Sequence, residues 1–145
     1  MKEKERYNNP EEIKNGYLGI GWAFPPVFVK DRGVEMVRTE ECVRQSLQVL
    51  FSTTPGERIF RFDYGCNIRQ WVFDEINLST KTLIIDTIKQ AILYYEPRID
   101  INKIEVEVKD ALEGILWISL DYTIRQTNNR SNMVFPFYFR EGTNL

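Results

Sequence analysis

The stretch Tyr94-Tyr95-Glu96-Pro97-Arg98-Ile99 constrains the fold more than any other, because the apolar period changes across it. Upstream, Ile84, Ile88, Ala91, Ile92 and Tyr95 recur at helical spacing, with Asp86, Lys89 and Gln90 on the opposite side, so the pattern predicts an amphipathic helix over 80–95. Asn77-Leu78-Ser79-Thr80 supplies N-cap residues for it. Pro97 stops the helix, since proline lacks an N–H and biases the preceding residue away from helical angles. Downstream, Ile104, Val106 and Val108 alternate with Glu105, Glu107 and Lys109, the signature of a strand with one buried and one wet face. Leu116, Ile118, Leu120, Tyr122 and Ile124 alternate in the same way with Trp117, Ser119, Asp121, Thr123 and Arg125. Phe135, Phe137 and Phe139 form the inner face of a third strand, in which Pro136 demands an edge position or a bulge. Residues 110–114 and 126–132 read as turn-like links.

The first half of the chain carries a second helical stripe. Val43, Leu47, Leu50 and Phe51 share one face, Thr39 is a candidate N-cap, and Glu40 and Glu41 suit the positive end of the helix dipole. Thr54-Pro55-Gly56-Glu57-Arg58 terminates that helix, a short extended segment is expected over 59–64, and residues 67–74 have short helical spacing. Asp31-Arg32-Gly33 reads as a turn. Residues 16–29 combine glycines, aromatics and Pro25-Pro26 in an extended path, where Trp22 and Phe24 either pack on the domain or form an apolar strip for a partner. Residues 1–15 are too polar to order themselves and form a tail. A chain of 145 residues has the size of one domain. The expectation is therefore a tail over 1–15 and one α+β domain over 16–145, with two main helices on an antiparallel sheet of at least three strands.

Charge and composition narrow the function. A net charge of −2 with interspersed signs gives no field to hold nucleic acid. The polar N-terminus contains no apolar run that would serve as a secretory signal or membrane anchor. Cys42 and Cys66 are too few for a disulfide framework, which points to reduced thiols and the cytoplasm, and as distant cysteines they make no metal site. The absence of histidine removes the usual general base, and neither a phosphate loop nor a dinucleotide loop is present, so no cofactor is expected. Catalysis would have to rest on a carboxylate pair, as in glycoside hydrolysis, and Glu57, Asp63, Asp74, Glu75 and Glu96 are the candidates, none set in a motif. Glu96 and Arg98 admit two readings: Arg98 meets the last helical carbonyls while Glu96 is solvated, or the two form a proline-pinned fork that docks a partner or locks helix to sheet.

One ordered set of short motifs adds to this. Gly21-Trp22-Ala23-Phe24-Pro25-Pro26, Gln45-Ser46-Leu47, Thr54-Pro55-Gly56-Glu57-Arg58, Tyr64-Gly65, Glu96-Pro97-Arg98-Ile99 and Tyr138-Phe139-Arg140-Glu141-Gly142-Thr143 resemble the lysozyme-like baseplate wedge family. That family includes the wedge subunit of contractile phage tails and the type VI secretion baseplate protein TssE. The resemblance covers residues 16–143 and implies a structural protein with a fold like the handshake domain of sheath proteins. It also implies other wedge subunits and contractile sheath subunits as partners, sheath assembly by strand addition, and Glu96, Pro97 and Arg98 as docking residues, with Trp22 and Phe24 as further candidates.

Overall fold

The computed structural model describes residues 18–30, 33–72, 74–110 and 114–138. The expected tail over 1–15, residues 16–17 of the extended segment, Asp31 and Arg32 of the turn, residues 111–113 of the first link, and Phe139 with the Arg140-Glu141-Gly142-Thr143 motif lie outside them. Packing divides the chain into two compact units, Met1–Ser46 and Leu47–Leu145.

The first unit holds four short strands. β1 (Ile20–Trp22) pairs antiparallel with β4 (Met36–Arg38), and β2 (Phe28–Val29) with β3 (Gly33–Val34). Backbone bonds from Ala23 N–H to the Glu35 carbonyl at 2.9 Å and from Glu35 N–H to the Val27 carbonyl at 2.8 Å join the two ladders into one ribbon. The Phe24-Pro25 peptide bond is cis. The first helix, α1 (Thr39–Ser52), begins in this unit. Its Gln45 side chain accepts a hydrogen bond from Phe24 N–H at 2.8 Å and donates to Glu41 at 3.0 Å.

The second unit contains the rest of α1, a short helix α2 (Arg69–Val72), the long helix α3 (Leu78–Tyr95) and a three-stranded sheet. Asn77 caps α3 by accepting from Thr80 N–H at 2.9 Å, and Trp71 of α2 donates to Thr87 of α3 at 3.1 Å. Ile84, Ile88, Ala91 and Ile92 are buried, as their spacing requires. The sheet runs β5 (Ile99–Asp110), β6 (Ile115–Ile124), β7 (Asn129–Tyr138), all antiparallel. Along β6 every even-numbered residue from Leu116 to Ile124 is buried and every odd one is half-buried. Ile104 and Val106 of β5 and Met133 and Phe137 of β7 register against those buried positions and complete one apolar face. Phe51 of α1 meets Phe135 of β7 edge-on, at 5.6 Å between ring centres.

Three expectations change. β5 starts at Ile99, immediately after the proline turn, because a bulge between Ile101 and Lys103 inserts Asn102 and switches the apolar phase from odd to even positions, which hides the first part of the strand from a period-two reading. β7 starts at Asn129 instead of after 132. Its first residues are polar yet pair with β6, the turn closes at 125–128 through Asn128 N–H and the Ile124 carbonyl at 2.8 Å, and Asn128 takes φ 53°. Residues 59–64 form turns instead of an extended segment, closed by Gly56 N–H to the Phe62 carbonyl at 2.8 Å and Tyr64 N–H to the Arg61 carbonyl at 3.1 Å. The even-numbered aromatics Phe60, Phe62 and Tyr64 mimic one face of a strand, yet Phe60 and Phe62 stay exposed, so that face is not buried. Pro136 lies on β7, an edge strand of the sheet, as its missing donor demands.

Candidate partner-docking site

The turn that ends α3 is built around a buried ion pair. Glu96 is the C-cap, with φ −134° and ψ 67°, and its N–H still donates to the Ile92 carbonyl at 2.8 Å. The non-helical ψ is what the following proline enforces. This residue is only 2% exposed, so the reading in which Glu96 is solvated is wrong. Its carboxylate accepts two parallel bonds from Arg98, Nε to Oε1 at 2.5 Å and Nη2 to Oε2 at 2.6 Å. Arg98 therefore turns back across Pro97 onto its own acid, with 29% of its side chain exposed. Pairing is what allows the carboxylate to leave water, since an unpaired buried charge costs several kcal/mol. The Arg98 carbonyl also accepts from Arg125 N–H at 3.0 Å, which ties the turn to the far end of β6.

A second motif is brought to the same turn. Tyr64 feels the Glu96 charge, its ring lies edge-on to Tyr95 at 5.1 Å, and the Arg58 guanidinium sits 4.0 Å above its centre. Burial pushes the Tyr64 phenol above its ordinary range, with Arg58 opposing. The Tyr95 hydroxyl donates to the Asp63 carbonyl at 2.5 Å. Gly65 has φ +136°, and a Cβ there would come within 2.5 Å of the Thr53 carbonyl oxygen, so the chain can pass only as glycine. Thus Thr54-Pro55-Gly56-Glu57-Arg58, Tyr64-Gly65 and Glu96-Pro97-Arg98, far apart in sequence, meet at the C-terminal end of α3. Tyr95 and Asp63 escaped the sequence reading as members of this cluster, because their bond to each other spans 32 residues and no local pattern announces it.

Beside the turn, between α3 and β5, lies a groove of about 530 Å³. Ile85, Ile92, Leu93, Ile101 and Ile104 give it an apolar lining, to which Glu96, Pro97 and the charged Lys89, Asp100, Lys103 and Arg125 are added. Arg125 pairs with Asp100 at 2.8 Å and Lys103 with Glu105 at 2.6 Å. Trp22 and Phe24 belong to the first unit, where both are exposed along with Phe28 and Met36.

The five candidate acids are differently employed. Both Glu96 oxygens face Arg98, and a Glu57 oxygen accepts from Thr54 N–H at 2.9 Å, bracing the loop. Asp63 is held below the usual carboxylate range, first by its own backbone amide and then by Arg61, which makes it a poor proton donor. Asp74 and Glu75 are exposed. Burial pushes the Cys66 thiol up to about 12, which leaves it inert as a nucleophile. Among the described residues no group of three or more acidic, cysteine or histidine side chains could hold a metal, and no helix is long and apolar enough to cross a membrane.

Known proteins share this architecture. A crystal structure from Geobacter sulfurreducens, of a protein provisionally named a tail lysozyme, is 39% identical with a TM-score of 0.68, over 75% of this chain and 100% of that one. A chain in the baseplate of the anti-feeding prophage is 30% identical with a TM-score of 0.65, over 90% of this chain and 94% of its own length. A chain of the type VI secretion baseplate complex, 15% identical with a TM-score of 0.54 over 68% of this chain and 92% of that one, shares the fold alone. No curated protein matches the sequence significantly. Residues 37–129, well over half of the 145, match the family of the baseplate wedge protein gp25, and to that family the chain belongs.

Proposed function

We propose that this chain is a non-catalytic part of a contractile injection machine, assembled in the cytoplasm, which binds neighbouring wedge subunits through Pro97 and its surroundings and starts the sheath by accepting a strand. The observation that carries the reading is the edge of β5. The Arg125 N–H bond to Arg98 fixes odd-numbered β6 residues as pointing toward β5, so in this ladder Lys103, Glu105 and Glu107 face β6. Ile104, Val106 and Val108 then direct their backbone groups outward, in the flat stretch between the two bulges of β5. The same reasoning puts the missing N–H of Pro136 on the outer row of β7, which interrupts that edge. An arriving strand thus finds continuous donors and acceptors at β5, next to a groove that can take alternate side chains.

Hydrogen exchange tests this. Adding sheath subunits of the parent machine should slow exchange at the amides of Ile104, Val106 and Val108 by at least tenfold, while those of Arg130 and Asn132 stay unchanged. Protection at β7, or none at either edge, would sink strand addition at β5. Engagement of Glu96 and Asp63 in structural bonds supports the non-catalytic part, and turnover of purified peptidoglycan would overturn it.

A further inference from the structure

The outer edge of β5 carries a chemical pattern as well as free backbone groups. Ile104 and Val106 are buried on the apolar face of the sheet and Val108 is half-buried there, whereas Glu105 and Glu107 stand exposed on the opposite face. A strand added at this edge keeps the same alternation. Every second residue it brings lies on the apolar face beside Ile104, Val106 and Val108, and the residues between lie beside Glu105 and Glu107. On the apolar side the adjoining groove is lined by Ile85 and Leu93 of α3 together with Ile104, so apolar side chains fit there.

The opposite face sets the charge. Lys103 reaches Glu105 Oε1 at 2.6 Å, but it stands four residues from Glu107, about 13 Å along the strand. Glu107 makes no ion pair with any described residue, and its cross-strand neighbour on β6 is Trp117. Arg130, further across the same face, is held by Asp121. In antiparallel addition Ile104, Val106 and Val108 make the hydrogen-bonded pairs. The residues opposite Glu105 and Glu107 then sit in non-hydrogen-bonded pairs, where side chains approach closest and like charges directly opposite are destabilising. We infer that the strand accepted by β5 alternates apolar residues with lysine or arginine, the apolar ones against Ile104, Val106 and Val108 and the basic ones opposite Glu105 and Glu107. This rests on the strand addition proposed above and names the chemistry of its partner.

Amide chemical shifts and hydrogen exchange of the full chain, followed while capped heptapeptides are titrated in, test the pattern. Ser-Val-Lys-Val-Lys-Val-Ser carries it, Ser-Val-Glu-Val-Glu-Val-Ser reverses its charge, and Lys-Lys-Val-Val-Val-Ser-Ser keeps composition and charge without the alternation. The first should protect the amides of Ile104, Val106 and Val108 and bind at least tenfold tighter than either of the others, since the glutamate peptide sets two like-charge contacts where the lysine peptide sets two opposite ones. Glu107→Lys, a change on the exposed face, should melt within about 2 °C of wild type, and in it the preference for lysine over glutamate should fall below threefold. Equal binding of the lysine and glutamate peptides, equal binding of the rearranged peptide, or an unchanged preference in Glu107→Lys overturns the basic pattern. Strand addition is judged separately, by protection with sheath subunits of the parent machine. Where these protect the β5 amides and the lysine peptide does not, the pattern alone falls; where neither does, both fall. Protection that rises with protein concentration before any peptide is added places a second copy on the edge and also overturns the pattern.

Discussion

Removing Arg98 should unfold this protein more readily than removing Glu96 and Arg98 together. In Arg98→Ala the Glu96 carboxylate stays where the fold puts it, 2% exposed, with neither oxygen reached by its guanidinium. Leaving one partner of a buried pair uncompensated costs about 3–5 kcal/mol. Glu96→Ala is gentler, because Arg98 keeps 29% of its side chain in solvent and can swing outward, and about 1–2 kcal/mol is expected for the lost bidentate contact. The double variant removes the stranded charge and leaves a small void, so its cost falls below that of Arg98→Ala alone. Since 1 kcal/mol moves the melting temperature of a domain of this size by about 4 °C, Arg98→Ala should lower it by about 12–20 °C. Arg98→Lys keeps the charge but not the fork, and belongs between wild type and alanine. Urea unfolding of the four proteins at pH 7, read as a double-mutant cycle, measures the coupling. A cost below 1 kcal/mol for Arg98→Ala, or additive single costs, would refute the claim that the pair is buried and mutually satisfied.

Two other perturbations read different parts of the fold. Gly65→Ala forces a Cβ against the Thr53 carbonyl and the Thr54–Pro55 backbone at φ +136° and should cost about 2–4 kcal/mol, whereas Gly56→Ala, at φ +96° with open space around it, should cost only about 1–2 kcal/mol; equal midpoints in denaturant would contradict the tight passage at Gly65. Arg130 holds Asp121 at a pKa of about 2, below its ordinary 3.8, so this carboxylate's stabilising contribution is complete above pH 4 and is lost as pH falls through 2; Asp121→Asn should flatten the acid limb of the stability profile in that window, and an unchanged limb would show the pair idle.

The sequence declared the periodic parts and concealed the coupled ones. The stripe of α3 and the alternation of β6 were legible because each buries one face with a strict period, 3.6 or two. The start of β5 was not, because one inserted residue, Asn102, reverses the phase, and a period cannot be read across its own defect. The start of β7 was hidden by polar residues whose place is set by cross-strand partners, among them Arg130 with Asp121. The helix stop at 54–58 was legible, but the turns over 59–64 were hidden for a related reason. Their shape comes from one positive-φ glycine at each end and from tertiary bonds to Tyr95, and no local pattern announces a bond made across 32 residues.

The Glu96–Arg98 pair also limits how the proposed docking turn can work. A fork that reached a partner with both charges would have to leave them unpaired in the free protein, and a carboxylate 2% exposed cannot be left so. The pair instead fixes geometry: it sets the end of α3, the first residue of β5 and, through Tyr64 and Tyr95, the base of the loop that displays Phe60. What the turn offers outward is Pro97, which is exposed and lines the α3–β5 groove. On this account the folded fraction of the Glu96→Ala, Arg98→Ala double variant should lose assembly in proportion to the misplacement of that groove. Replacing Pro97 alone, at a cost of less than about 1 kcal/mol, should weaken docking without melting the domain. A double variant that melts low yet docks normally once folded would show that the pair acts on stability alone.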